Sequence, residues 1–174
     1  MKRIMEANAL CLMQLKVFLI SLKNDEYTKP LKVFSQSSLG MHNRHILEFY
    51  QCLLFSQEIT EVNYDKRVRN IQIETNVAYA IECLEEILDQ LASLKKNFEL
   101  TLSMNLGHDT CDTQVNSNLE RELVYLVEHT IHHMAILKMG CIVSFPHIAL
   151  DRDFGVAFST IKHKEYVHSN LSAC

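Results

Sequence analysis

Two short windows of histidine are the residues of this chain best suited to chemistry. They are His42-Asn43-Arg44-His45 and His129-Thr130-Ile131-His132-His133, and together they hold five of the nine histidines. Neutral imidazole is the commonest protein ligand for transition metals near pH 7. Residues four apart lie on the same side of a helix, so His129 and His133 are spaced to bind one ion together. A third ligand from the first window would leave coordination positions open, as catalytic metal sites do.

Long helices are the elements that must position these windows. The chain has 174 residues, 48% of them apolar and 22% charged, which is typical of a single soluble globular domain over residues 1–174. Only four glycines and two prolines are present, so few residues interrupt a helix. The net charge of −4 provides no basic field for nucleic acid, and we expect no nucleic-acid partner.

Hydrophobic periodicity divides the chain into four long helices and one hairpin. It predicts helices over 5–22, from Ser37 or Ser38 to about Gln57, over 71–97 and over 119–141, with a short fifth helix in the tail. Alternation over 98–104 predicts a strand, and 112–115 its return strand. The predicted fold is therefore all-α, a four-helix bundle with a small β-hairpin or extended excursion between helices three and four.

The same periodicity assigns the faces of the helices. In the first helix it predicts a core stripe of Leu10, Met13, Val17 and Ile20. In the fourth helix, His133 lies on the line of core leucines with His129 beside it, whereas His132 falls on a polar side. In the second helix His42 lies near the middle of the apolar stripe and His45 at its edge. Either of these two could reach an ion at one end of the bundle, and the periodicity leaves that choice open.

The cysteines and the N-terminal segment indicate a compartment. The six cysteines are scattered without a C-x-x-C pair, which predicts free thiols in a reducing cytoplasm. Lys16 interrupts the first apolar run, so we expect neither a signal peptide nor a membrane span there. The expected localisation is cytoplasmic, without a membrane partner.

Several segments together resemble one known family. Ser38-Leu39-Gly40-Met41-His42-Asn43-Arg44-His45-Ile46-Leu47 is similar to the second-helix motif of the DinB/YfiT-like metalloenzymes. The segment 122–135 is similar to their fourth-helix H-x-x-x-H motif, and 64–70 with Glu74 resembles the entry to helix three. The resemblance extends from about residue 35 to 163. It implies an up-down-down-up four-helix bundle in which three histidines hold one divalent ion.

By position in these motifs, the resemblance implies that the three ligands are His45, His129 and His133. His42 falls where many members of the family carry an apolar residue. That departure leaves open whether His42 is a fourth ligand or makes a hydrogen bond in the pocket. The metal implied by a histidine site is zinc, nickel, copper or iron, and the sequence does not choose among them.

Members of the family with known activity include thiol S-transferases that use a low-molecular-weight thiol, and maleylpyruvate isomerases. The leading hypothesis is therefore a metal-dependent thiol transferase, in which the ion lowers the pKa of a bound thiol or water. Arg44, Arg67 and Arg69 are candidates for binding a carboxylate-bearing thiol. Groups that could support the ligands or transfer protons are Glu48, Glu74 and Tyr50.

Two other functions remain open at this point. The same ion could catalyse hydrolysis, which the sequence does not separate from thiol transfer. A closed site with four protein ligands, including His42, would instead favour a non-enzymatic, metal-stabilised binding module. The expected partners are a small-molecule thiol or another small substrate, and a second copy of the chain in a homodimer.

Overall fold

The computed structural model describes residues 1–55, 60–107 and 111–171, and in the last helix it does not describe the side chains of residues 167, 168, 170 and 171. Helices dominate these residues, with one small sheet. The helices are α1 (Lys2–Ile20), α2 (Asn24–Thr28), α3 (Leu39–Leu54), α4 (Ile71–Thr75), α5 (Val77–Ser93), α6 (Leu119–Ser144) and α7 (Phe158–Leu171). The strands are β1 (Glu61–Val62), β2 (Glu99–Met104) and β3 (Thr113–Asn118).

Four long helices enclose the core, because α1 and α3 each pack against both α5 and α6. The helices α1 and α6 run in the same direction. The N-terminal amine of Met1 pairs with Glu120 at the start of α6, and Asn8 donates to the carbonyl of Leu123 further along. By contrast α3 and α6 are antiparallel, because His42 at the start of α3 lies beside His133, whereas Phe49 further along α3 lies near Tyr125, earlier in α6.

The helices α3 and α5 advance together. Near the start of α3, Gly40 lies against the backbone of Glu74, so closely that a Cβ atom would meet the Glu74 carbonyl. Further along, the side chain of Gln51 lies next to Cys83 of α5. Glycine is therefore required in the first turn of α3, because the helix passes the backbone of α4 there without room for a side chain.

Side-chain caps fix the helix starts on which the site depends. Ser38 is the predicted cap of α3, and its Oγ accepts a hydrogen bond of 3.1 Å from the backbone N–H of Met41. Asn118 caps α6 in the same way through the N–H of Arg121. The caps confirm that both histidine windows lie on helices, and that the second window lies well inside the longest one.

The predicted third helix over 71–97 was wrong in its continuity. Asn76 has extended backbone angles and its Oδ1 accepts from the N–H groups of Ala78 and Tyr79, so it begins a new helix inside the predicted one. The segment is therefore divided into α4 and α5, and α5 ends at Ser93. The predicted second helix ends at Leu54, and its predicted end at Gln57 lies outside the described residues.

A three-stranded sheet includes the connection between α5 and α6. The predicted hairpin is confirmed, with β2 and β3 antiparallel in a register that pairs Glu99 with Asn118, although the return strand runs over Thr113–Asn118 and not over 112–115. The predicted turn residues His108 and Asp109 lie outside the described residues. The strand β1 pairs in parallel with β2, Glu61 opposite Thr101. Two residues are too few to produce a periodic signal, so this strand was not predicted.

The predicted core stripe of α1 was also wrong. Leu10, Met13, Val17 and Ile20 are 58%, 47%, 66% and 62% exposed, and the buried side is instead formed by Cys11, Leu12, Leu15, Phe18 and Leu19. Since α1 is apolar on both sides, periodicity could not select the inward one. A polar residue selects it: Asn8 is fully buried, where it accepts from the Tyr50 hydroxyl at 2.8 Å. Among the described residues no helix combines the length and apolarity needed to cross a bilayer.

Candidate metal centre

Three histidines from two helices of the four-helix core converge. His45 lies on α3, and His129 and His133 lie one turn apart on α6. One ring nitrogen from each lies within 4.8 Å of the others, and all three side chains are half-buried. An ion bound at 2.0–2.1 Å in tetrahedral geometry needs nitrogens about 3.4 Å apart. Small side-chain rotations would therefore bring the three imidazoles around a single ion.

Burial keeps these imidazoles neutral. It lowers the pKa of His45 and of His129 from 6.5 to about 4, and neighbouring positive groups such as Arg67 add to the effect. It lowers the pKa of His133 further, to about 3, with the other histidines contributing. Each ring at pH 7 therefore carries one proton and one lone pair, which is the form that binds a metal.

A chain of hydrogen bonds sets the tautomer of His133. The Oγ of Ser37 donates its proton to the carbonyl of Phe34 at 2.8 Å, so towards His42 Nε2, at 3.3 Å, it accepts. A neutral His42 with its proton on Nε2 has a lone pair on Nδ1. That atom lies 3.3 Å from Nδ1 of His133, which must then donate. The lone pair of His133 is thereby placed on Nε2.

One ring nitrogen of His129 stands out by its burial and by its lack of a partner among the described residues. Nε2 of His129 is buried and has no hydrogen-bond partner among the described residues. The ring itself packs against two aromatic side chains, stacked on Phe49 at 4.5 Å and beside Tyr125 at 5.5 Å between ring centroids. An unpaired buried polar atom costs about 1–3 kcal/mol. A bound cation would satisfy this nitrogen, so the residues present fit a metal ion.

His45 is held in the other tautomer. Its Nδ1 lies 3.1 Å from Nη2 of Arg67. Guanidinium can only donate, so Nδ1 of His45 accepts and the ring proton is on Nε2. Arg67 is fixed by three further contacts: its Nε donates to Glu48 at 3.2 Å, its Nη1 donates to the Tyr64 carbonyl at 2.8 Å, and its guanidinium lies 5.0 Å over the ring of Phe49.

The other charged candidates form a network behind this arginine. Glu48 is only 1% exposed, and besides Arg67 it accepts from the backbone N–H of Asn70 at 2.7 Å. Arg44 lies 3.5 Å from Glu48 and pairs with Glu74 at 2.6 Å. The network ties α3 to α4 and to the segment before it. Of its members, Arg67 is the one that hydrogen bonds to a histidine of the cluster.

Three of the remaining candidates are not members of the three-histidine group. Arg69 is exposed. Tyr50 is fully buried in the core, where its hydroxyl bonds to Asn8 and Thr130, so it does not face the cluster. His42 stands beside the three-histidine group rather than in it, since its Nδ1 is engaged with His133. His132 is exposed, as its place on the polar side of the helix predicts.

Sequence reasoning missed two residues that shape the cluster. Phe49 contacts the rings of both His45 and His129 at 4.5 Å, and its position one helical turn after His45 could have revealed it. Ser37 was considered only as a helix cap, whereas its hydroxyl anchors the His42 chain. No signal in the sequence distinguishes that role from an ordinary turn.

Comparison with known proteins adds little to this geometry. No family model matches the chain, and no solved structure matches it. The chain is similar to a protein named FK506-binding protein 5 from Rhizopus delemar, with 34% identity over 109 residues. The alignment covers 60% of this chain but only 28% of that protein, so the chain spans less than a third of the length of the curated relative it matches. The function named for that protein is therefore not transferred to this chain.

Proposed function

We propose that this chain holds one divalent transition-metal ion with His45, His129 and His133, and that it is a metal-dependent enzyme of the DinB/YfiT-like type, a thiol S-transferase. The observation that carries the proposal is the convergence of three neutral imidazoles from α3 and α6 within 4.8 Å. The unpartnered, buried Nε2 of His129 supports it, because packing alone gives no reason to leave that atom unsatisfied.

The helix directions support the family proposed. The helices α1 and α6 run one way, and α3 runs the other way with α5 alongside it, which is the up-down-down-up order that the family resemblance implies. The connection between α5 and α6 carries the predicted hairpin. Zinc, nickel or iron is the proposed ion, since imidazole ligands suit all three.

The reaction is proposed from the donor set and its surroundings. Three neutral ligands would leave the ion its full positive charge, and an ion so bound lowers the pKa of a coordinated thiol or water. Arg67 places a permanent positive charge against His45. A thiol that also carries a carboxylate is the substrate class that matches both features.

Metal content is the direct test of the site. Purified wild-type protein should contain or bind about one divalent ion per chain, measured by elemental analysis and by titration of the metal-free form. His45→Ala, His129→Ala and His133→Ala should each lose it. His132→Ala is the matched control, since this exposed histidine adjoins His133 and should leave the content unchanged. Wild-type metal content in both His129→Ala and His133→Ala would refute the site.

A second assay separates thiol transfer from hydrolysis. The metal-loaded protein is offered 1-chloro-2,4-dinitrobenzene with and without a carboxylate-bearing thiol, and separately an activated ester without thiol. Thiol transfer predicts product only when both the metal and the thiol are present. Ester turnover that needs the metal but no thiol would favour hydrolysis, and no turnover in either assay would favour a binding module.

A further inference from the structure

The contact between Arg67 and His45 cannot survive metal binding, and this conflict is a matter of hydrogen-bond chemistry. If the ion is held by Nε2 of His45, the proton of the neutral ring must lie on Nδ1, where it would face a guanidinium N–H at 3.1 Å. If the ion is held by Nδ1, the lone pair that Arg67 now uses is taken. In both cases the Nη2 group of Arg67 loses its acceptor.

We infer that metal loading releases Nη2 of Arg67 from His45 and converts it into a donor for the anionic group of the substrate. The inference rests on the proposed three-histidine metal site and names the substrate class of that site, a small thiol bearing a carboxylate. The ring of His45 keeps one proton throughout, which moves to Nδ1 if the ion binds Nε2 and stays on Nε2 if the ion binds Nδ1. In both cases the partner of Arg67 changes.

The rest of the arginine is held in place when Nη2 is released. Its Nε remains bonded to the buried carboxylate of Glu48, and its Nη1 remains bonded to the Tyr64 carbonyl. The guanidinium also lies over Phe49, whose ring contacts both His45 and His129. The freed N–H group therefore stays beside His45, one of the proposed ligands of the ion. It would be available to a ligand that occupies an open coordination position.

The arrangement gives the site an order of binding. In the metal-free protein Arg67 is satisfied by Glu48, Tyr64 and His45, so an anion gains little by approaching it. Once the ion is bound, a charged donor without a partner lies next to the coordination positions. A carboxylate would supply the missing acceptor through a charge-assisted hydrogen bond. Metal loading thus prepares the site for the thiol whose carboxylate reaches Arg67.

The first readout is the position of the ring proton of His45, which nitrogen-15 NMR of histidine-labelled protein measures. The metal-free protein should show the Nε2–H tautomer for His45 and the Nδ1–H tautomer for His133, assigned with the His45→Gln and His133→Gln variants. Addition of Zn²⁺ should change the His45 pattern and leave His133 with its proton on Nδ1. A zinc-loaded protein in which His45 keeps the proton on Nε2 and Arg67 on Nδ1 would overturn the inference.

The second readout is ligand preference of the zinc-loaded protein, using 3-mercaptopropionate and the neutral 3-mercapto-1-propanol as probes of equal length. Wild type should bind the carboxylate thiol about tenfold more tightly than the alcohol, as expected for one charge-assisted hydrogen bond. Arg67→Met should reduce this ratio at least fivefold. The ratio, rather than one affinity, removes the contribution of the thiol–metal bond that both probes share.

Arg3→Met is the matched control for loss of one positive charge. Arg3 is exposed at the start of α1, beside the start of α6, and His133 lies thirteen residues further along that helix, about 20 Å away. Its ratio should equal that of wild type. An unchanged ratio in Arg67→Met would overturn the inference while zinc binding itself stands. Failure of the wild type to bind zinc through the three histidines would instead overturn the proposed site, and the inference with it.

Discussion

The two sides of the histidine cluster are held in opposite hydrogen-bonding states. On one side, the chain of hydrogen bonds from Phe34 through Ser37 and His42 fixes the proton of His133 on Nδ1. The lone pair on Nε2 is then free to bind a metal ion. On the other side, Arg67 fixes the proton of His45 on Nε2. A preorganised ligand costs little to use, whereas a blocked one must first rearrange. From this difference we expect the two polar neighbours of the proposed metal site to affect its affinity in opposite directions.

Removal of His42 should have the largest effect on metal binding. His42→Leu deletes the acceptor that orients His133, and partners of this kind are worth about 10–100-fold in metal affinity. The zinc dissociation constant, measured by competition with a chelating indicator, should rise by that factor. Leucine suits the position because the imidazole already lies edge-on against Phe34 at 4.7 Å between centroids.

The control for this variant is His132→Leu, which removes an exposed histidine adjoining His133 on the same helix. Its zinc affinity should remain that of wild type. Equal weakening in both variants would mean that the loss at His42 is a general effect of mutating the helix pair. Unchanged affinity in His42→Leu would mean that His133 does not depend on the hydrogen-bond chain.

Removal of Arg67 should change metal affinity in the opposite direction. Arg67→Met deletes a hydrogen bond that the metal-free protein must give up, and it removes a positive charge near the ion. We expect zinc to bind about tenfold more tightly, the lower end of what a charged hydrogen bond contributes. The same competition assay measures the gain. A loss of affinity would show that Arg67 supports the site rather than opposing it.

Arg44→Met controls for damage to the carboxylate behind the arginine. Arg44 also lies against Glu48, at 3.5 Å, yet it makes no hydrogen bond to a histidine of the cluster. The control should therefore disturb the same buried carboxylate without the gain in zinc affinity. A gain of similar size in Arg44→Met would assign the effect to lost positive charge alone, and not to the contact with His45.

Removal of Ser37, the member of the hydrogen-bond chain that lies beyond His42, should have a smaller effect. Ser37→Ala takes away the acceptor for Nε2–H of His42. Water could replace this acceptor, because the contact between Ser37 and His42 is only partly buried. We expect zinc affinity to fall by about threefold, which corresponds to the lower end of the net energy of one neutral hydrogen bond. In the His42→Leu background the same change should have no effect. Additive losses would show that Ser37 acts on the site by another route.

The sequence was sufficient to locate the three histidines that converge but not to determine their protonation and hydrogen bonding. The i, i+4 spacing of His129 and His133 and their place on a core-facing line depend only on helix geometry, which short-range sequence encodes. The tautomer of His45 depends on Arg67, a residue 22 positions away that no periodicity links to it. The same limit applies to α1, where the inward face carries Asn8, whose hydrogen-bond partner Tyr50 lies 42 positions away.

Local signals also failed where a polar residue competes with the pattern. The apolar spacing after Ile71 continues through Asn76 as if one helix were present, yet the Asn76 side chain caps the N–H groups that follow it and divides the helix. His42 shows the opposite case, an imidazole on the apolar stripe whose role depends on Ser37 and His133 together. Periodicity describes which side of a helix is buried, and not what a buried polar group bonds to.

Acidification tests the property that the two sides share, and it should give the smallest effect per residue because the rings are half-exposed and partly screened. Burial lowers the pKa of His45 to about 4 and that of His133 to about 3, both below the ordinary 6.5. Below about pH 6.5 the unfolded chain therefore binds more protons than the folded one. The free energy of unfolding of the metal-free protein should fall as the pH falls from about 6.5 towards 4.

Urea midpoints at pH 7.5, 6.5 and 5.5, measured with a chelator present, check this sign above the range where carboxylates titrate. The combined His45→Gln, His129→Gln and His133→Gln variant should lose less stability over that interval than wild type. An equally steep decline would show that these rings titrate normally. If His45→Gln and His133→Gln reduce the decline by similar amounts, both rings are neutral at pH 7. The difference between the two sides would then lie in where the ring proton is, and not in the charge.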